Sequence, residues 1–238
     1  MNDNKPILSI ETSESLCGAC VFFDDTRYFE SSINFKNIHA EKLFELIDFV
    51  IKTAGIETGE LGAIAVSAGP GSFTGLRIGM SAAKGIGFGL SLPIIPVPTF
   101  EALAHQIAAC LPAETMFTIA NKVNVEEVYC AKFQSKHNLL DRPNNYIFVE
   151  KLKIINLSGY QDFSGDCIKF GNVTLDNTVK DDKRKVNLLT GKTSITAPSP
   201  VFVAKWASLF GDDLQTISYD YLEPNYFKNF IVKERKND

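Results

Sequence analysis

The segment that most constrains this chain is AIAVSAGPGSFTGLRIG, residues 63–79, in which an apolar, β-prone stretch enters a glycine-rich turn and then the start of a helix. A strand feeding a helix through a short turn is half of a crossover unit and points to a mixed α/β fold. Glycines let backbone N–H groups converge, and the helix N-terminus behind them adds free donors and partial positive charge. Such a turn either cradles an anion or closes a tight structural loop, and both readings stand at this point. It is not a Walker A loop, because no Lys-Ser or Lys-Thr pair follows the glycines and Lys84 falls well inside the helix. Nor is it a dinucleotide fingerprint, since Gly69-x-Gly71-x-x-Thr74 has threonine where the third Gly or Ala belongs.

The helix that follows repeats Gly75, Gly79, Ala83 and Gly87 at intervals of four, with Gly85 and Gly89 nearby. Residues at that spacing share one face. Each interior glycine costs a helix about 1 kcal/mol relative to alanine, so the stripe calls for close packing in return. The neighbour is either another helix of the same chain or the matching helix of a partner subunit.

With 238 residues, 45% hydrophobic and 22% charged, the chain is long enough for one large domain or two small lobes. There is no apolar run of about 18 residues and no basic-then-apolar leader, so the expected location is the cytoplasm, away from membranes. A net charge of −4 and a pI near 5.5 argue against a free-standing nucleic-acid binder. The local basic tail of Lys228, Lys233, Arg235 and Lys236 reads as solvated, or as a phosphate contact within a complex. Five cysteines without framework spacing read as reduced thiols. Cys17 and Cys20 lie in one apolar strand, where residues three apart face opposite sides, so the pair is expected neither to chelate a metal nor to act as a redox couple.

Hydrophobic patterning places strands at 7–12, 16–23 and 27–33, a helix at 39–53 ended by Gly55, a strand at 63–67, the glycine-striped helix, a strand at 94–97 and a helix at 100–110 capped by Thr99. This βββαβαβα unit is assigned to residues 1–111 as a first lobe. Strands at 116–120 and 127–133 echo the first hairpin and suggest an internal duplication. The stretch 134–196 is polar and reads as irregular, interrupted at 141–145 and 181–185, with one strand at 167–170. Ser199-Pro200 gives an N-cap and first-turn proline for a helix to Phe210, and 219–230 closes the chain. Residues 112–238 are therefore read as a second, reduced lobe whose C-terminal helix returns to the first.

Ile10-Glu11-Thr12-Ser13, His39-Ala40-Glu41, Gly69-Pro70-Gly71-Ser72-Phe73-Thr74-Gly75-Leu76-Arg77-Ile78-Gly79, Glu127-Val128-Tyr129 and Glu223-Pro224-x-Tyr226 together closely resemble the bacterial TsaB, or YeaZ, family. The resemblance covers the first lobe almost continuously and touches the second at several points. It implies the two-lobed fold of actin, sugar kinases and Hsp70. It also implies a role in forming N6-threonylcarbamoyladenosine at position 37 of tRNAs that read codons beginning with A. In that family the protein is a partner: it pairs with the related catalytic subunit TsaD, and the small ATPase TsaE joins them. A separate enzyme makes the threonylcarbamoyl-adenylate donor. Homodimers also occur. The chain is thus expected to hold no cofactor of its own, with ATP and a divalent metal bound by partner subunits and tRNA met through the complex.

The residues agree that this chain carries little chemistry of its own. The catalytic relatives hold a metal with two histidines four residues apart on the first helix, whereas His39 is followed at that spacing by Leu43. His105 and His137 lie elsewhere, and no Gly-x-Ser-x-Gly elbow marks a nucleophile. Where the family usually reads Asp-Ala-Arg before Glu-Val-Tyr, this chain has Asn121-Lys122-Val123-Asn124-Val125-Glu126, which weakens any ligand site between the lobes. An alternative is a stand-alone nucleotide-dependent phosphoryl or carbamoyl transferase of the same fold, using Glu11, Thr12, Ser13, Gly69, Gly71 and Ser72 as its nucleotide site. In the partner reading, Glu11 only ties down turn N–H groups. The first helix is apolar over more than one side. It is expected to form a partner interface through His39, Leu43, Phe44 and Ile47, joined by Arg77, Gly79, Met80, Ala83 and Gly87 of the striped helix.

Overall fold

The computed structural model describes residues 5–136, 144–173 and 195–225, which build two sheets and the helices around them. Strands β1 (Ile7–Glu11), β2 (Leu16–Phe22) and β3 (Tyr28–Asn34) form an antiparallel meander. Helix α1 (His39–Ala54), strand β4 (Ala63–Gly69), helix α2 (Phe73–Leu90), strand β5 (Ile94–Pro98) and helix α3 (Thr99–Ala108) follow, in the βββαβαβα order read from the sequence. β4 pairs parallel to β1 and β5 parallel to β4, giving the sheet order β3-β2-β1-β4-β5.

Local chemistry accounts for these elements. α1 buries Leu43, Leu46, Ile47, Val50 and Ile51, the three-and-four spacing of one helical face. It stops at Gly55, whose φ of 70° belongs to the left-handed region and whose N–H caps the carbonyls of Ile51 and Lys52. β1 alternates: Leu8 and Ile10 enter the core shared with α1 and α2, and Ile7 enters the core on the other face. Cys17 and Cys20 divide in the same way between the two cores, both fully buried.

The second sheet contains β6 (Met116–Lys122), β7 (Glu127–Ser135), β8 (Tyr146–Asn156) and β9 (Ile168–Gly171) in the order β8-β7-β6-β9. β9 is parallel to β6 and the other pairs are antiparallel, so these four strands repeat the β3-β2-β1-β4 arrangement of the first sheet. The echo seen in one hairpin therefore extends to four strands. Between β8 and β9 stands α4 (Tyr160–Ser164), five residues long, where the first unit has the 16-residue α1.

Helix α5 (Pro200–Phe210) crosses back and packs on β1 and β2. Ser9 Oγ donates to the Pro200 carbonyl at 2.6 Å, and a Cβ at Gly18 would lie 2.6 Å from Pro200 Cγ, so the glycine lets α5 settle on the strand. α3 is shared: Ala102 joins the core that Ile7, Cys20 and α5 form on the other face of the first sheet, and Phe100, Leu103 and Ile107 pack with Phe117 and Phe133 of the second sheet. Tyr146 Oη donates to Glu101 at 2.9 Å and accepts from Trp206 Nε1 at 3.2 Å, tying β8 to α3 and α5.

Three expectations are corrected. Residues 134–196 are not wholly irregular: β8 is an 11-residue edge strand whose exposure alternates from Ile147 to Ile154. Its charged residues, Glu150, Lys151 and Lys153, made it look like loop, and charge of this kind suits a sheet edge. Thr99 opens α3 instead of capping it, and its hydroxyl accepts from Gly69 N–H at 3.0 Å. Ser199 stands at the N-cap of α5 with Pro200 behind it, yet its side chain makes no capping bond; its N–H donates to Gln106 Oε1 at 2.8 Å. His137, residues 141–143 and 181–185, Tyr226 and the basic tail lie outside the described residues. Among the described residues no helix is long and apolar enough to cross a membrane.

Candidate functional site

Two regions carry the residues singled out from the sequence: the junction where the β1–β2 turn meets the glycine-rich loop, and the surface of α1 and α2. At the junction, Glu11, Thr12 and Ser13 are fully buried. The Glu11 carboxylate accepts from Ser13 N–H and Ser13 Oγ, each at 2.5 Å, and from the Ser67 hydroxyl. Burial pushes its carboxyl up to about 7 against the pull of these donors. This is the turn-tying geometry read for Glu11 from the sequence.

The glycine-rich loop, with a cis Gly69–Pro70 peptide, lies directly on that turn. Ser72 N–H donates to the Ser13 carbonyl at 2.5 Å, and Ser72 Oγ caps α2 by accepting from Gly75 N–H at 3.2 Å. A Cβ at Gly71 would strike the Ser13 carbonyl, one at Gly75 the Thr12 carbonyl and one at Gly79 the Thr12 hydroxyl. Gly69, at φ 113°, sits against the Asn225 carbonyl. The four-residue stripe continues inward: Ala83 is fully buried in the core, and Gly87 lies under Tyr219, whose Oη is within hydrogen-bonding distance of the Gly87 and Leu92 carbonyls. Close approach of this chain's own β1–β2 turn and Tyr219 is what the stripe accommodates.

The second sheet completes the junction. Glu14, half-buried in the β1–β2 turn, accepts from Asn121 Nδ2 of β6 at 3.1 Å and from Asn172 Nδ2, just past β9, at 3.2 Å. Asn121 also donates to the Thr196 carbonyl at 2.8 Å and accepts from Asn172 N–H at 3.1 Å. Burial and then the charge of Glu11 push the Glu14 carboxyl up to about 8, opposed by both asparagines and by Lys36. Sequence reasoning missed Glu14 and Asn172; a carboxylate three residues from Glu11, across a two-strand turn, was the available signal.

The residues assigned to a partner interface separate into two groups. Leu43, Ile47, Gly79, Met80, Ala83 and Gly87 face the chain's own core, because α1 and α2 both lie on the sheet with these positions inward. His39 is also buried, its Nε2 3.2 Å from the Leu16 carbonyl. Phe44 and Arg77 are exposed, the latter with its guanidinium 3.8 Å from the centre of the Phe73 ring. The outward face of α2 also shows Ser81, Gly85, Phe88 and Gly89, with nothing among the described residues within 4 Å of a Cβ at either glycine. Phe88 is 76% exposed, Phe44 60% and Phe49 56%. Among the described residues no group of three or more His, Cys, Asp or Glu converges as metal ligands.

A protein of Buchnera aphidicola subsp. Baizongia pistaciae, the tRNA threonylcarbamoyladenosine biosynthesis protein TsaB, is 31% identical over 155 residues, 65% of this chain and 67% of that protein. The chain belongs to the TsaB family. TsaB of Escherichia coli K12 is 27% identical over 228 residues, covering 95% of this chain and 96% of its own length. Residues 35–141 also match the family model of TsaD, the tRNA N6-adenosine threonylcarbamoyltransferase. A solved structure of an uncharacterised Pseudomonas aeruginosa protein, described as similar to the peptidase YeaZ, superposes with a TM-score of 0.69 at 18% identity, over 94% of this chain and all of that one. The TsaB assignment and this likeness identify the mixed α/β, two-sheet architecture as that of the actin, sugar kinase and Hsp70 class.

Proposed function

We propose that this chain acts in the formation of N6-threonylcarbamoyladenosine on tRNA as a non-catalytic subunit that binds and activates the catalytic paralogue TsaD, with the ATPase TsaE joining the pair. The observation that carries this reading is the near full-length match to a TsaB protein named for that pathway. The molecular surface supports the partner role. Gly85 and Gly89 weaken α2 by about 1 kcal/mol each relative to alanine. Among the described residues nothing packs against them, unlike Gly75 and Gly79. Exposed phenylalanines beside close-approach glycines suit a helix laid against α1 and α2 from outside. These observations support an interface over Phe44, Arg77, Ser81, Gly85 and Phe88 in preference to the buried stripe.

The glycine-rich loop favours this over a stand-alone transferase. Its Ser72 N–H is engaged by Ser13, its Gly69 N–H by Thr99, and Gly71 and Gly75 seat backbone carbonyls where a nucleotide cradle would present open donors. The test is tRNA threonylcarbamoylation reconstituted with TsaD, TsaE, the donor-forming enzyme, ATP, threonine, bicarbonate and tRNA, with and without the chain. Modification that requires the chain and survives Glu11→Ala upholds the subunit reading. Modification indifferent to the chain, together with saturable ATP binding by the isolated protein, overturns it in favour of the transferase.

A further inference from the structure

Glu14 carries the hydrogen bonds from the β1–β2 turn to the second sheet, and its partners are fixed in orientation. Asn172 Oδ1 accepts from Lys122 N–H at 2.7 Å and Asn121 Oδ1 accepts from Asn172 N–H, so both amides turn their NH₂ groups toward Glu14. Two donors addressing the two oxygens favour a carboxylate. The surroundings oppose one. Glu11 lies on the same turn, fully buried, with serine hydroxyls and amides as its partners. Lys36, beyond β3, is the cation that acts on Glu14, and Cys17 on β2 is held neutral by a thiol pushed up to about 11.

We propose that Glu14 is a proton-operated latch between the two sheets: closed on Asn121 and Asn172 while the Glu11–Glu14 pair retains a proton, and loosened when that proton leaves. Ionising both carboxylates sets two negative charges in one poorly solvated turn, and releasing that turn from Asn121 and Asn172 restores water to Glu14 while the core shared through α3 stays closed. Because the closed form binds the proton more tightly than an opened, hydrated form, raising the pH favours opening. The two acids titrate as a pair, so the latch responds to their joint charge. Release of the turn would alter how α2, seated on it through Gly75 and Gly79, is presented to a partner, which goes beyond the subunit role itself.

Hydrogen exchange of the full chain, read by mass spectrometry and corrected for intrinsic rates between pH 6 and 9, tests this. In the wild type the open fraction of residues 9–17 and 118–124 should rise more than tenfold over that range, while β4 and β5 stay constant. Glu14→Gln, isosteric and uncharged, should flatten the rise. Asn172→Ala removes one bond of the latch and leaves both acids, so it should increase opening at every pH with the slope retained. Parallel profiles for wild type and Glu14→Gln, or opening that falls as pH rises, would overturn the proposal. If Glu14→Gln does not fold, the Asn172→Ala comparison decides: unchanged opening rejects the latch.

Discussion

Gly75 and Gly79 on one side of α2, and Gly85 and Gly89 on the other, differ in what surrounds them. On the first side a Cβ would collide with the carbonyl or hydroxyl of Thr12; on the second it would meet nothing within 4 Å among the described residues. The inward glycines therefore exchange helix stability for a seat that holds the β1–β2 turn, with Glu11 and Glu14 on it. The outward glycines make the same sacrifice with no return among the described residues. The sequence pattern of small residues every four was a true signal of close packing, but the packing it served was internal.

Ala83→Arg would break that distinction most severely. Ala83 is fully buried in the core beneath α2, so a guanidinium there has neither water nor a partner, and the chain should lose about 4 kcal/mol or more. Urea unfolding, or the soluble yield where the variant fails to fold, reads the effect. Wild-type stability would mean that the stripe faces outward after all.

The seat itself can be probed through pH. Glu11 has a carboxyl raised from 4.5 to about 7, so the fold prefers it protonated. Its contribution is fully present below pH 4.5 and is lost as pH rises through about 7. Glu11→Gln keeps the shape and removes the charge, so its advantage over wild type should grow with pH to about 3 kcal/mol at pH 9. A stability gap that does not change with pH would show that Glu11 titrates normally. Gly75→Ala comes next: the new methyl meets the Thr12 carbonyl, and despite better helix propensity the chain should lose about 2 kcal/mol by urea unfolding.

What could be read in advance follows from where the physics is local. The βββαβαβα order of elements, the stop of α1 at Gly55 and the opposite facing of Cys17 and Cys20 come from periodicity and capping, which operate within a few residues. β8 escaped because an edge strand needs little hydrophobicity, so its alternation was carried by glutamate and lysine as much as by phenylalanine and leucine. The inward turn of Leu43, Ile47 and Ala83 escaped for a different reason. α1 is apolar over a wide arc, and only the packed sheet decides which part of the arc is covered. At the candidate site, Glu11 was legible as a turn acceptor, whereas Glu14 gains its meaning from Asn121 and Asn172, 107 and 158 residues away in sequence.

The smallest expected effect sharpens the comparison most, because its sign is opposite. Gly85→Ala adds a methyl to an exposed helix interior and removes backbone freedom from the unfolded chain, so the isolated protein should gain about 1 kcal/mol. If a partner helix uses the space left open at Gly85, the same methyl will weaken binding to TsaD, and Gly85→Arg will weaken it far more while leaving the free chain folded. Thermal unfolding of the free protein and calorimetric titration with TsaD separate the two quantities. A gain in stability with binding intact would leave the exposed glycines without a role at the interface. A loss of stability would place Gly85 among the buried glycines and erase the contrast between the two faces.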